Sequence, residues 1–385
     1  MKADLPEPSA DARDASAALS QIIAAELTAT GWMSFARYME LALYAPGLGY
    51  YSGGSRKFGA EGDFLTAPEL TPLFGQALAR QVAQVMVASM PEVMEAGAGS
   101  GRLAADLLLA LDAMGCAPTQ YRILELSGEL RARQAATLAQ YAPALADRVS
   151  WLDELPEKFS GCLIGNEVLD AMPTHAVQWP AAGIEEIGVT LTDSRLTEAR
   201  RAASGGLLAA AQAITVAENY RGEISLAARM WVTELAGRLE RGAMFLIDYG
   251  LPRHELYHPH RSGGTVRCHY RHRVHEDPFW LPGLSDITSH VDFTAVAEAG
   301  FEAGLDVLGY TSQANFLMNC GIGELLGQKV GAGDTAPVDA VKAQGAVNLL
   351  LSPNEMGELF KVIALGRGMP QPLLGFTRSD RLHAL

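Results

Sequence analysis

The stretch "PEVMEAGAGSGRL" sets Gly97, Gly99 and Gly101 at alternate positions, shortly after Glu95. A short apolar run precedes these glycines, and helical spacing over Arg102–Met114 follows them. A glycine loop between a strand and a helix lets backbone touch a ligand where any Cβ would intervene. The helix start adds free N–H groups and a partial positive charge. Glu125 ends the next predicted strand, where a carboxylate can accept both hydroxyls of a ribose; Leu126 lies beside it. A dinucleotide site uses G-x-G-x-x-G, with a third glycine one place later. Here the spacing is G-x-G-x-G, and the carboxylate of Glu95 would repel a pyrophosphate while suiting an ammonium group. S-adenosylmethionine has an amine, a sulfonium and no phosphate, so the pattern points to it ahead of NAD. A P-loop is excluded because no Gly-Lys-Ser/Thr follows. The plain alternative is a glycine-rich turn without a ligand.

A second set of reactive side chains lies in "IGNEVLDAMPTH": Asn166, Glu167, Asp170 and His175 at the end of another predicted strand. Ligands of doubly wound sheets bind at the carboxyl ends of strands, so Asn166 and Glu167 are expected to face a methyl donor and its acceptor. Glu167 and Asp170 share a face if a helical turn begins there. Paired carboxylates can clamp a planar guanidinium. They can also help remove its proton, whose pKa lies above ~12 in the free group. A polar strand end capping the next helix is the bland reading. Upstream, "KFGAEGDFLTAPEL" contributes Asp63, Thr66 and Glu69, either as a lid over the site or as a turn with Thr66 as an N-cap.

The segment "PRHELYHPHRSGGTVRCHYRHRVHED" gathers His254, His258, His260, His269, His272 and His275 among arginines. His269 and His272 have i, i+3 spacing, but no cysteine pair or HExxH accompanies them, so no metal site is assigned. A basic, mobile loop meeting acidic surface is expected instead. In "SDITSHVDF", Asp286 and Asp292 flank His290, which reads equally as part of a helix start or as a residue reaching the site.

The elements that must position these groups alternate. "EVMEAG", "YRILEL", "RVSWL", "GCLIGNEVL" and "GAMFLIDYG" read as strands, with helices over about 102–114 and 128–140. That alternation predicts an α/β fold with a doubly wound sheet. Residues 1–18 read as a disordered arm, and 19–90 as a helical and glycine-rich lid segment with a helix near 70–88. The core is expected over 91–172 plus 226–310. An insertion over 173–225 carries a hairpin ("HAVQWP", "IEEIGVTLT") and a helix over 204–218. Residues 311–370 supply helices and a strand that complete the core. A net charge of −14 argues against a nucleic-acid partner. Four scattered cysteines, no apolar run of spanning length and no signal-like start predict a cytoplasmic protein of bacterial type, without membrane insertion.

Taken in order, "KFGAEGDFLTAPELTPLFG", "EAGAGSGRLAADLL", "LELSGELRARQ", "GNEVLDAMP", "FLIDYG", "DITSHVDF" and "MGELFKVIALG" resemble the MidA-like methyltransferases, relatives of a mitochondrial assembly factor for respiratory complex I. The resemblance runs from about 20 to 370. It implies a class I methyltransferase, Rossmann-like core with an N-terminal helical segment and inserted and C-terminal α+β elements. It also implies protein arginine N-methylation, with a core subunit of the hydrophilic arm of complex I as partner. The glycine motif of the family falls on Glu95, Gly97, Gly99 and Gly101, its ribose acid on Glu125, and its Asn-Glu pair on Asn166 and Glu167. On this reading Glu95 attends the amine, Leu126, Asp153 and Thr66 border the donor, and Glu167 orients an arginine with Asp170 and Asn166. An NAD-dependent oxidoreductase and a non-enzymatic assembly chaperone are the competing readings. Oligomeric state is not expressed in these residues.

Overall fold

A computed structural model describes residues 5–53, 66–331 and 336–385. The chain runs α1 (Ala10–Thr30), β1 (Met33–Ser34), α2 (Phe35–Tyr44), α3 (Ala67–Leu70), α4 (Pro72–Ala88), β2 (Glu92–Ala96), α5 (Arg102–Ala113), β3 (Gln120–Leu124), α6 (Gly128–Tyr141), β4 (Val149–Leu152) and β5 (Phe159–Asn166). It continues with β6 (His175–Trp179), β7 (Glu185–Thr192), β8 (Arg195–Ala202), α7 (Gly205–Gln212), β9 (Tyr220–Ile224), α8 (Leu226–Arg238), β10 (Leu239–Leu251), α9 (Arg253–Leu256), β11 (Arg267–Tyr270), β12 (Arg273–His275), β13 (Asp286–Thr288) and β14 (Val291–Asp292). It ends with α10 (Phe293–Glu302), β15 (Asp306–Ser312), α11 (Gln313–Asn319), α12 (Ile322–Gly331), α13 (Pro337–Leu351), α14 (Met356–Leu359) and β16 (Phe360–Arg367).

The chain forms two compact units. The first comprises Met1–Phe64, Asp170–Trp231 and Leu251–Asp292; the second comprises Leu65–Leu169, Val232–Gly250 and Phe293–Leu385.

The second unit holds the α/β sheet that the alternation predicts. Its order is β15-β16-β10-β5-β2-β3-β4. Strands β10, β5, β2, β3 and β4 run parallel, and β16 lies antiparallel between β10 and β15. The sequence of strands reverses between β2 and β5, and that is where a doubly wound sheet opens a crevice at its carboxyl edge. The parallel strands read as apolar runs because helices cover them: Val93, Tyr121, Ile123, Cys162, Ile164, Phe245 and Ile247 join one core with Leu103, Leu107 and Leu111 of α5 and Leu78, Val82 and Val85 of α4.

The first unit carries an antiparallel sheet in the order β1-β7-β6-β9, with β8 paired to β7. Leu19, Ile23 and Leu27 of α1 and Tyr38, Met39 and Leu43 of α2 pack with Ile187 and Val189 of β7. The expected hairpin is present as β6 and β7, in register Ala176↔Ile187.

Several expectations change. Helix α1 begins at Ala10, inside the stretch read as a disordered arm; Ser9 Oγ accepts the Ala12 N–H at 3.2 Å and the alanines that follow favour helix. The helical start of the segment expected over 19–90 is two helices, α1 and α2, broken at Gly31, a left-handed C-cap with φ 73°. The helix expected near 70–88 is α4, which starts at Pro72 behind its cap Thr71. The helix expected over 204–218 ends at Gln212. The His/Arg segment is not a loop throughout: β11, β12 and β13 form a sheet in the order β12-β11-β13. Its hairpin closes through Arg271 and His272, both left-handed at φ 45° and 59°, the conformation of a tight two-residue turn. The C-terminal region holds α10 to α14, with β16 as the strand expected over 311–370 and β15 largely ahead of it.

Candidate active site

The glycine loop follows β2 directly. Gly97, Gly99 and Gly101 all have positive φ, at 66°, 52° and 83°. A Cβ on Gly101 would lie 2.9 Å from Gln134 Cα, and one on Gly97 would lie 3.1 Å from Val168 Cγ2. Both residues are therefore glycine for two reasons, backbone angle and close approach. Gly101 also sits at the N-cap of α5, where the capping acceptor comes from its neighbour: Ser100 Oγ accepts the Arg102 N–H at 3.3 Å.

Glu95 lies two residues before this loop and is buried. Its Oε2 accepts the Tyr121 hydroxyl at 2.6 Å. Burial pushes its carboxyl up to about 7, against a smaller downward pull from that hydrogen bond. A cationic ligand group nearby would favour the charged form.

Glu125 follows β3. Its Oε1 accepts the Ser127 N–H at 2.9 Å and its Oε2 accepts Gln134 Nε2 at 3.1 Å. Burial raises its carboxyl above the usual range, and these bonds oppose the shift. Leu126, next in the chain, is exposed. Asp153, expected at the donor's edge, is exposed and pairs with Arg131 at 2.7 Å. Arg131 also donates to the carbonyls of Glu125 and Leu152, so it bridges the ends of β3 and β4.

Across the crevice, β5 stops at Asn166 because Glu167 turns left-handed, at φ 54°. That conformation is uncommon for a residue with a side chain. The turn is held from β10: the Glu167 N–H donates to Ile247 O at 2.8 Å, and Asp248 Oδ2 accepts from Val168 N and Leu169 N at 3.1 and 2.8 Å. Asn166 Nδ2 donates to Glu167 Oε1 at 2.9 Å. Asn166 Oδ1 is buried and has no hydrogen-bond partner among the described residues. A buried carbonyl oxygen left this way can accept an N–H or O–H from a ligand or a water.

The second unit thus brings Glu95, Gly97, Gly99, Gly101, Glu125, Asn166 and Glu167 to one sheet edge. Asp170 and His175 do not join that set within the unit. Asp170 opens the next stretch of the first unit, where its carbonyl accepts the Ser289 N–H at 3.0 Å. His175 lies on β6, with Nδ1 2.6 Å from Glu186 Oε1. Thr66 occupies the N-cap position of α3 but makes no capping hydrogen bond. Glu69 on α3 accepts the Ser100 hydroxyl of the glycine loop. Asp63 lies outside the described residues. In the first unit, His290 donates its N–H to Thr265 Oγ1 at 3.1 Å, and Asp292 pairs with Arg253 at 3.0 Å just before α10. His275 is buried against Ser285, and burial lowers its pKa. Among the described residues no three His, Cys, Asp or Glu side chains converge to hold a metal. None of the helices among them is long and apolar enough to cross a membrane.

Two residues that hydrogen-bond the turns at this edge, Asp248 and Gln134, were not among those expected. The signal was present in each case. Asp248 is a charge closing an apolar strand, and Gln134 is an amide between Leu130 and Leu138 on the buried stripe of α6.

Residues 77–311 match the model of a family described as "Putative S-adenosyl-L-methionine-dependent methyltransferase". The chain belongs to that family. This methyltransferase is 51% identical to a Burkholderia thailandensis protein whose crystal structure holds S-adenosylhomocysteine; the superposition has a TM-score of 0.94 and covers 99% of this chain and 100% of the other. It is 29% identical to protein arginine methyltransferase NDUFAF7 of Mus musculus over 88% of this chain and 82% of that protein. It is 28% identical to the Drosophila melanogaster homologue over 97% and 91%. The fold is that of a class I methyltransferase and the cofactor is S-adenosylmethionine, which sets aside the NAD reading.

Proposed function

We propose that this methyltransferase modifies arginine side chains of a protein. The observation that carries the reading is the pair Asn166 and Glu167 beside the β2–β5 reversal, one with an unsatisfied buried acceptor oxygen and the other a carboxylate. A guanidinium offers N–H donors in a plane and a positive charge, which matches both groups. The relatives named protein arginine methyltransferase support the same acceptor.

In this proposal Gly97, Gly99, Gly101 and Glu125 hold the cofactor, Glu95 meets its amine, and Leu126, Asp153 and Thr66 border it. Bound S-adenosylmethionine supplies a methyl group already activated on a sulfonium. The residues of the chain then supply alignment. Asn166 Oδ1 accepts one guanidinium N–H and the Glu167 carboxylate accepts another, so the attacking nitrogen is oriented before it reacts. Orientation of this kind is worth several powers of ten in rate. An arginine nitrogen must lose a proton as it is alkylated, and the Glu167 carboxylate is the recipient proposed here. A core subunit of complex I, which the family resemblance implies, is the first acceptor to try.

Glu167→Gln is expected to bind S-adenosylhomocysteine within twofold of the parent and to lose methyl transfer. Unchanged incorporation of radiolabelled methyl would remove Glu167 from the reaction. Labelling a cell lysate and mapping the label by mass spectrometry is expected to find methylarginine; label confined to other residues or to small molecules overturns the arginine assignment. If Gly99→Val still supports complex I assembly in a deletion strain, the chaperone reading replaces the enzymatic one.

A further inference from the structure

We infer that Gln134 is a positioning residue for cofactor binding, acting as a strut between the glycine loop and the proposed ribose acid. This inference rests on the reading that the glycine loop and Glu125 hold the cofactor. Gln134 lies on α6 and is fully buried. Its Nε2 donates to Gly99 O at 3.2 Å and to Glu125 Oε2 at 3.1 Å, while its Oε1 accepts the Trp151 indole N–H at 2.8 Å. One amide therefore spans the loop after β2, the acid after β3 and the wall formed by β4.

The amide can sit only one way round. An indole N–H donates and never accepts, so the carbonyl oxygen must face Trp151 and the NH2 must face the other two groups. Both of those are acceptors: a backbone carbonyl and a carboxylate. Turned over, the amide would oppose donor to donor and acceptor to acceptor. The backbone of Gln134 adds a second constraint, because its Cα leaves no space for a Cβ at Gly101. Helix α6 is thus seated on the glycine loop by contact and tied to it by hydrogen bonds. What the strut sets is the separation of Gly99 from the Glu125 carboxylate, two groups proposed to meet different parts of one ligand. An error there weakens binding of donor and product alike and leaves the transfer step of bound cofactor intact.

The side chain's role separates cleanly from its volume. Gln134→Glu keeps the shape and the bond from Trp151 but turns the second oxygen onto Gly99 O and Glu125. Gln134→Met keeps the approximate volume and removes all three bonds. Calorimetric titration of the full-length protein with S-adenosylhomocysteine is expected to show Kd at least tenfold above the parent for both variants at pH 8. For Gln134→Glu the loss should shrink several-fold toward pH 6 relative to the parent, since a protonated carboxyl can donate again. Gln134→Met should show no such recovery. At saturating S-adenosylmethionine both should keep kcat within about twofold while KM for the cofactor rises. A residue that merely packs would predict parent-like binding by Gln134→Glu at pH 8 with no recovery on acidification, and that result overturns the strut. If Gln134→Glu melts below the assay temperature, Gln134→Met carries the same test, and parent-like binding by it has the same force. Glu125→Ala distinguishes the layers. Unchanged affinity there removes the ribose-acid reading itself, whereas weakened affinity there with parent-like affinity in both Gln134 variants overturns the strut alone.

Discussion

On the β3–β4 side of the crevice, the polar groups are tied by neighbours close in the chain: Ser127, Arg131 and Gln134 all bond Glu125 from the loop and helix that follow it. On the β5–β10 side, the turn after Asn166 is held by Asp248, 80 residues away along the chain from Val168. The first side is a local strand–loop–helix device whose geometry is set by hydrogen bonds within one supersecondary unit. The second is a strained backbone turn that exists because a parallel neighbour strand supplies acceptors for its N–H groups. The difference teaches where each half is vulnerable: the side proposed to hold the cofactor to steric intrusion, the side proposed to hold the acceptor to loss of a single distant carboxylate.

The largest effect is expected from intrusion. Gly101→Ala forces a left-handed alanine and drives its Cβ against the α6 backbone. The two costs together come to roughly 2–5 kcal/mol. Denaturant unfolding should show that loss, and titration should show cofactor binding abolished. A variant that binds S-adenosylhomocysteine like the parent would mean that the loop and α6 are not rigidly opposed.

Asp248→Ala probes the other side. It strips the Val168, Leu169 and Tyr249 N–H groups of a side-chain acceptor, at a cost of about 3 kcal/mol. Turnover should fall at least tenfold while affinity for S-adenosylhomocysteine stays within about threefold. Equal losses in both would erase the distinction between the two sides.

Glu95 gives a smaller, pH-dependent effect. Its folded pKa of about 7 exceeds the 4.5 of an ordinary glutamate, so the folded state holds a proton that the unfolded state releases between those values. The group's contribution is therefore intact below about 4.5, declines as pH rises through about 7, and reaches about 3 kcal/mol of lost stability above that. Glu95→Gln should remove this slope, so that its stability relative to the parent improves from pH 4 to pH 8. A pH-independent difference between the two proteins would show that Glu95 ionises normally.

The smallest effect belongs to Asp153→Ala. Its pair with Arg131 is exposed on the acid's side, and such pairs contribute under about 1 kcal/mol. Thermal melting should scarcely move, and cofactor affinity should fall less than twofold. A tenfold loss would make Asp153 a direct ligand and extend the cofactor side beyond Glu125.

The sequence by itself determined the local devices. Alternating apolar runs and helical stripes marked β2, β3, β4, β5 and β10; β2, β5 and β10, buried along most of their length, read as nearly unbroken hydrophobic stretches. Glycines at alternate positions and an acid after the next strand marked the loop proposed to hold the methyl donor, because each depends on conformations and spacing within a few residues. The boundary at Ser9, where capping residue and alanines carry a helix into a stretch rich in Asp and Pro, was masked by composition. What the tertiary structure alone decided is which strands lie side by side. That adjacency turned Asp248 into the support of Glu167 and set Gln134 between Gly99, Glu125 and Trp151. It also assigned Asp170 and His175 to a different unit from Glu167 despite their closeness in the chain. Long-range pairing follows from burial summed over many side chains, and no short stretch of residues contains that sum.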